Sequence, residues 1–181
     1  FTLTIQAQAG QTPTVAPGNN FGCFEVGNVS NVFIDGFIFR DCGTAGGGTA
    51  VDVGTGGLID NVICRNCTFA FSSAGGGSDG VHVRANNGPH TNVIVEDCSF
   101  TGVAADDGQG RIAVAFQSAR TCIMRRCTVT GFQMGVQFQG VVGEKVAGHL
   151  LERCFINTCD RSAIFVWFAL NCIVRNVEVF D

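Results

Sequence analysis

Three titratable residues hold the same place in a recurring five-residue segment: Glu25 in CFEVG, Asp52 in AVDVG and His82 in GVHVR. Two carboxylates about 5 Å apart raise each other's pKa, and that separation suits retaining glycoside hydrolysis. An imidazole beside them supplies an acid or a base. The same positions are also simply the polar outward places of a sheet. Arg84 stands two residues after His82, and Arg111 follows the acidic run Ala105-Asp106-Asp107-Gly108. The ten cysteines include the pair Cys64-x-x-Cys67, a spacing used for disulfides and zinc. No second pair converges on it, so zinc is not expected.

Whatever positions these groups is built from repeats. One segment recurs six times: NVFIDGFIF from Asn31, NVICRNCTF from Asn61, NVIVEDCSF from Asn92, TCIMRRCTV from Thr121, GHLLERCFI from Gly148 and NCIVRNVEV from Asn171. The starts lie 30, 31, 29, 27 and 23 residues apart. Between them recurs the shorter segment, ending in AVAFQ from Ala113, GVQFQ from Gly135 and AIFVW from Ala163. Each period therefore carries at least two short β segments, and no helical periodicity intervenes. With 25 Gly, 16 Phe, 3 Pro and only 14% charged residues, the 181-residue chain suits many short strands joined by turns.

Aligned, the repeats form columns. The seventh and ninth positions are apolar throughout (Phe37, Cys67, Cys98, Cys127, Cys154, Val177; Phe39, Phe69, Phe100, Val129, Ile156, Val179) and should point inward. Stacked cysteines point the same way, which is poor disulfide geometry, so a reduced thiol ladder is expected. The fifth position reads Asp35, Arg65, Glu96, Arg125, Glu152, Arg175, with its sign alternating at every coil. Stacked about 4.8 Å apart, that column becomes a ladder of ion pairs. The first position is mostly Asn and is read as an inward ladder. Coil five departs from it, with Gly148 for Asn and His149 at a mostly apolar place. The third position, Phe33 to Ile173, alternates outward yet is wholly apolar. That predicts a covered face, under a trimer partner, another part of a longer chain or a host surface. His90 falls in a loop and receives no role.

The pattern resembles right-handed parallel β-helix proteins of the pectate-lyase-like superfamily, over nearly the whole chain. The resemblance implies an all-β solenoid of about six to seven coils, a single domain over residues 1–181. It also implies a polysaccharide groove along the sheet that carries Glu25, Asp52, Gln137 and Trp167, where Trp167 and Phe165 can stack on sugar rings. Ser78-Asp79-Gly80 and Asp106-Asp107-Gly108 resemble elements of calcium-dependent lyases, which implies Asp79, Asp106 and Asp107 as Ca²⁺ ligands. The expected basic residue is Lys, but Lys145 is remote, so Arg84, Arg111 and His82 stand in as catalytic candidates. The family's further Asp is here Gly110. Asp-Gly is also an ordinary turn sequence.

Two function classes follow. One is an enzyme cleaving a polysaccharide, lyase-like or hydrolase-like. The other is a non-catalytic structural or adhesive β-helix, such as a trimeric phage tailspike or fibre component, at an extracellular or virion surface. A formal net charge of −4 with a single Lys argues against nucleic acid as the main partner. No apolar run reaches the roughly 18 residues of a membrane-spanning helix. Both ends are abrupt, and the chain is expected to be a section of a longer one.

Overall fold

The structure is a computed structural model. It describes residues 2–16, 22–42, 48–54, 57–72, 79–84, 90–103, 111–140 and 146–180. No described residue is helical. Strands pair in parallel with their equivalents one coil earlier and one coil later, so the chain is an all-β parallel solenoid. The first sheet is stacked from Leu3–Gln6, Val32–Asp35, Asp60–Arg65, His90–Glu96, Ile123–Arg125, Leu150–Glu152 and Ile173–Arg175. The second runs Thr14–Val15, Ile38–Arg40, Thr68–Ala70, Ser99–Thr101, Thr128–Thr130, Phe155–Asn157 and Glu178–Phe180. The third runs Phe24–Val26, Thr49–Val53, Asp79–Arg84, Ile112–Gln117, Met134–Gln139 and Ser162–Trp167.

The columns hold. Asp35 pairs in register with Arg65, Arg65 with Glu96, Glu96 with Arg125, Arg125 with Glu152, and Glu152 with Arg175. The ion pairs are resolved two by two: Arg65 reaches Asp35 at 2.9 Å, Arg125 reaches Glu96 at 2.6 Å, and Arg175 reaches Glu152 at 2.6 Å. Each arginine reaches back one coil. Asp35 and Glu96 are buried beneath them, and a buried carboxylate without its partner is strongly destabilising. The apolar term is nevertheless the larger one. Phe39, Phe69 and Phe100 stack at 4.9 and 4.5 Å in the interior, and each buried ring contributes roughly 1.5–3 kcal/mol. Cys67, Cys98, Cys127 and Cys154 line the same interior as free thiols. Burial pushes the neighbouring Cys122 thiol up to about 12, so it stays protonated.

Three expectations are corrected. The Asn column is not inward: Asn31 and Asn61 are half-buried, while Asn92, Thr121 and Asn171 are exposed. All have positive φ (52–58°), and Gly148 shares it at 80°. Asn, and above all Gly, occupies this left-handed region cheaply. Gly148 thus preserves the corner, and it is the Asn-to-Asn hydrogen bonding, seen from Asn61 to Asn31 at 2.9 Å, that it gives up. Second, Cys23 and Cys42 form a disulfide with Cα atoms 6.1 Å apart. They are not equivalents in one column, so the stacking argument against disulfides does not reach them. Third, His90 is buried. Its Nδ1 accepts from Ile59 N–H at 3.1 Å, and its Nε2 lies 2.9 Å from the Arg84 carbonyl, to which it donates. The outward apolar column is half-buried from Phe33 to Leu150 and exposed at Ile173.

His149 occupies an inward place next to Phe138, with ring centroids 4.9 Å apart. Its Nδ1 accepts from Cys122 N–H at 3.3 Å, and its buried Nε2 has no partner among the described residues. Burial pushes the imidazole down to about 4 from an ordinary 6.5. The unfolded chain therefore takes up a proton as pH falls below 6.5, while the folded chain does not until about 4. Stability is lost across that window. His149→Val, which installs the residue of the equivalent places Val32, Val62 and Val93, should shrink the difference in urea midpoint between pH 7 and pH 4.5. Equal differences in the two proteins would show that His149 is not the group responsible.

Candidate functional site

The third sheet places Glu25 against Asp52 and Asp52 against His82 in register on adjoining coils. Rungs lie about 4.8 Å apart, so the three side chains form one outward row. Arg84 lies one outward column over and reaches Asp52 Oδ2 at 3.0 Å and Thr49 Oγ1 at 3.2 Å. The other Asp52 oxygen has no hydrogen-bond partner among the described residues. Burial raises the Asp52 pKa, against the opposing pull of Arg84 and then His82, with Glu25 and Asp79 adding to the rise. The result is a carboxyl that gives up its proton less readily than an ordinary Asp, beside a cation.

Asp79 stands at the head of the same strand as His82. Its Oδ1 accepts from Ile112 N–H at 3.0 Å. Its Oδ2 lies 2.8 Å from His82 Nδ1, without the angle of a hydrogen bond. The contact leaves both ring nitrogens, Nε2 included, buried and without a hydrogen-bond partner among the described residues. His90 pins the far end of the strand through the Arg84 carbonyl. An acid with a raised pKa, an imidazole steadied by a carboxylate and a guanidinium thus meet within two coils. That is the inventory of general acid–base catalysis.

Further along the sheet, Ala115 occupies the row with no exposure at all. Beyond it Gln137, Gln139, Arg161, Phe165, Trp167 and Met134 line a cleft of about 210 Å³. The Gln137 amide donates to the Gln139 carbonyl oxygen. Trp167 is 49% exposed and meets Phe165 edge-on at 6.4 Å. From Asp52 to Phe165 is four rungs, about 19 Å at the spacing of a sheet.

The sequence candidates therefore sort into groups. Glu25, Asp52, Asp79, His82 and Arg84 come together, and Gln137 and Trp167 share the cleft. Arg111 is buried, donating to the Val103 carbonyl at 2.7 Å. Asp106 and Asp107 lie outside the described residues. Among the described residues no cluster of three or more His, Cys, Asp or Glu has metal-ligating geometry. Gly80 opens the segment GVHVR and is a strand residue, and a Cβ there would fall 2.7 Å from the Phe100 ring. The pairing of Asp79 with His82 has no sequence signal, because residues three apart in a regular strand face opposite ways. Arg161 and His90 were missed as well, since both stand at strand entries.

Parallel sheets stacked coil on coil around an apolar interior define a β-solenoid. The family model described as "Right handed beta helix region" matches residues 79–181, more than half of the chain. The chain belongs to the right-handed β-helix family, in keeping with its resemblance to the pectate-lyase-like superfamily. No curated protein matches it.

The site yields a direct test. The Asp52 carboxyl should titrate above the ordinary carboxylate range when followed by carbon-13 NMR. In Arg84→Gln its pKa should rise further, because the cation that favours ionisation is gone. A wild-type titration at or below the ordinary range contradicts this account of the cluster.

Proposed function

We propose that the outward face of the third sheet binds a polysaccharide and cleaves it at the cluster of Asp52, His82 and Arg84. The carrying observation is that these residues share one face with the Trp167 cleft. In the lyase form of the reaction, substrate binding uncovers His82 Nε2, which is buried in the free protein, and Nε2 takes the proton from the carbon next to a uronate carboxyl. The electron pair forms the new C=C bond, the glycosidic C–O bond breaks, and Asp52 gives its proton to the departing oxygen. Asp79 keeps the imidazole oriented. Arg84 offers charge to the substrate carboxylate. Calcium enters through the resemblance of Asp79, Asp106 and Asp107 to a ligand set. Asp79 already serves His82 and Ile112, so the reading assigns it to positioning first.

The experiment is incubation with a panel of uronate-containing polysaccharides, with and without calcium. Ultraviolet absorbance reads unsaturated products, and a reducing-end assay reads hydrolysis. Asp52→Asn and His82→Gln should each lower the rate by about 100-fold or more, the scale of a lost acid or base. Unchanged turnover in both variants, or no product from any polymer by either readout, would sink the proposal.

A second reading is favoured by one observation, the outward apolar column of the first sheet from Phe33 to Ile173. A non-catalytic adhesive solenoid would bury that column in a homotrimer. Light scattering should then give three times the chain mass, falling toward one on Ile94→Asp/Ile123→Asp. A wild-type monomer removes the reading.

A further inference from the structure

From the coil of Val32 onward, the corner between the first and second sheets has one left-handed residue in each coil: Gly36, Asn66, Asp97, Arg126, Arg153 and Asn176, with φ between 52° and 83°. Gly, Asn and Asp tolerate that conformation; an arginine pays for it in backbone strain. Two successive coils nonetheless place Arg there. Arg126 is explained by its neighbours, since it bonds Asp97 at 2.7 Å through both Nε and Nη2 and Glu96 at 3.0 Å. Arg153 is not. It is exposed and makes no ion pair or side-chain hydrogen bond among the described residues, while adjacent Glu152 is taken by Arg175 at 2.6 Å.

Arg153 overlooks an open groove of about 520 Å³, which Arg126, Thr128, Phe155, Asn176 and Glu178 also line. Thr128, Phe155 and Glu178 follow one another in register up the second sheet. Phe155 is 37% exposed and rests on Phe180, with ring centroids 5.2 Å apart. An exposed aromatic ring is thus ringed by planar polar groups. With Arg126 neutralised by its acids, Arg153 and Glu178 cancel, and the groove favours neither an anion nor a cation. A guanidinium, a carboxamide and a carboxylate can each engage two neighbouring hydroxyls, and a threonine one more. The ring offers a flat apolar surface to C–H groups.

We propose that this corner groove binds an uncharged pyranose, as a glycan site on a different face of the solenoid from the acid–base cluster. Arg153 stands at a strained position because its guanidinium binds sugar hydroxyls, and Phe155 supplies the stacking surface. The proposal stands whether or not the third sheet is catalytic.

The test uses an array of immobilised neutral and acidic oligosaccharides, probed with the wild type, Arg153→Asn and Phe155→Thr. Both substitutions install residues that the same positions carry in other coils, Asn176 and Thr128. Binding to neutral glycans should weaken by about tenfold or more in each variant. The melting temperature of Arg153→Asn should equal or exceed that of the wild type, because Asn relieves the backbone, so lost binding cannot be assigned to misfolding. Retention of acidic glycans alone, absence of any neutral glycan on the wild type, or affinity unchanged in either variant overturns the proposal. A clearly lower melting temperature for Arg153→Asn overturns the strain argument beneath it.

Discussion

A coil of this solenoid has no strand partner of its own, and its sheet hydrogen bonds go to the coil before or after it. That single constraint explains the rest. Strand must lie on equivalent strand at the spacing of a sheet, so each corner must turn through the same angle in each coil. From the coil of Val32 onward the corner joining the first and second sheets spans two residues, as between Asp35 and Ile38 or Glu152 and Phe155. The first of those two is always left-handed. Residues are added or lost elsewhere, between the second and third sheets and between the third and first. The unequal repeat spacing therefore leaves the stacking untouched.

Stacking makes each side chain the neighbour of its own equivalent, which rewards some residue types and punishes others. Rings and thiols gain by lying on their like in the interior. Charges of one sign do not, and the first sheet avoids the problem by alternating Asp or Glu with Arg. The gain from the apolar columns exceeds that from the ion pairs, so the interior holds the fold. The charged column instead penalises any slip of one rung, since a slip would set like charge on like.

Most of this was legible in the sequence because it depends on columns, and columns can be read from any repeat. The inward rows, the outward row of Glu25, Asp52 and His82, and the ion-pair partners all follow from period-two alternation and a constant register. Corners do not follow from alternation. Hydrogen bonding, the evident use of Asn, points that column inward, whereas its backbone conformation is what selects it. The disulfide of Cys23 and Cys42 and the contacts of Asp79 and His90 all lie where strands begin or end. There the chain direction changes, and sequence spacing no longer encodes distance.

The same contrast separates a structural face from a candidate site. On the first sheet the charged column settles its account internally, each arginine covering the carboxylate one coil back. The third sheet has no such alternation. Its row runs from two acids through an imidazole to alanine, glutamine and phenylalanine, so neighbours cannot satisfy one another by repetition. One oxygen of Asp52, Nε2 of His82 and Nε of Arg84 are left buried without hydrogen-bond partners among the described residues. Unsatisfied polar atoms of this kind cost stability, and a fold that needed only to stand would be served better by valine. Their grouping within two coils is the physical reason to look for chemistry on this face.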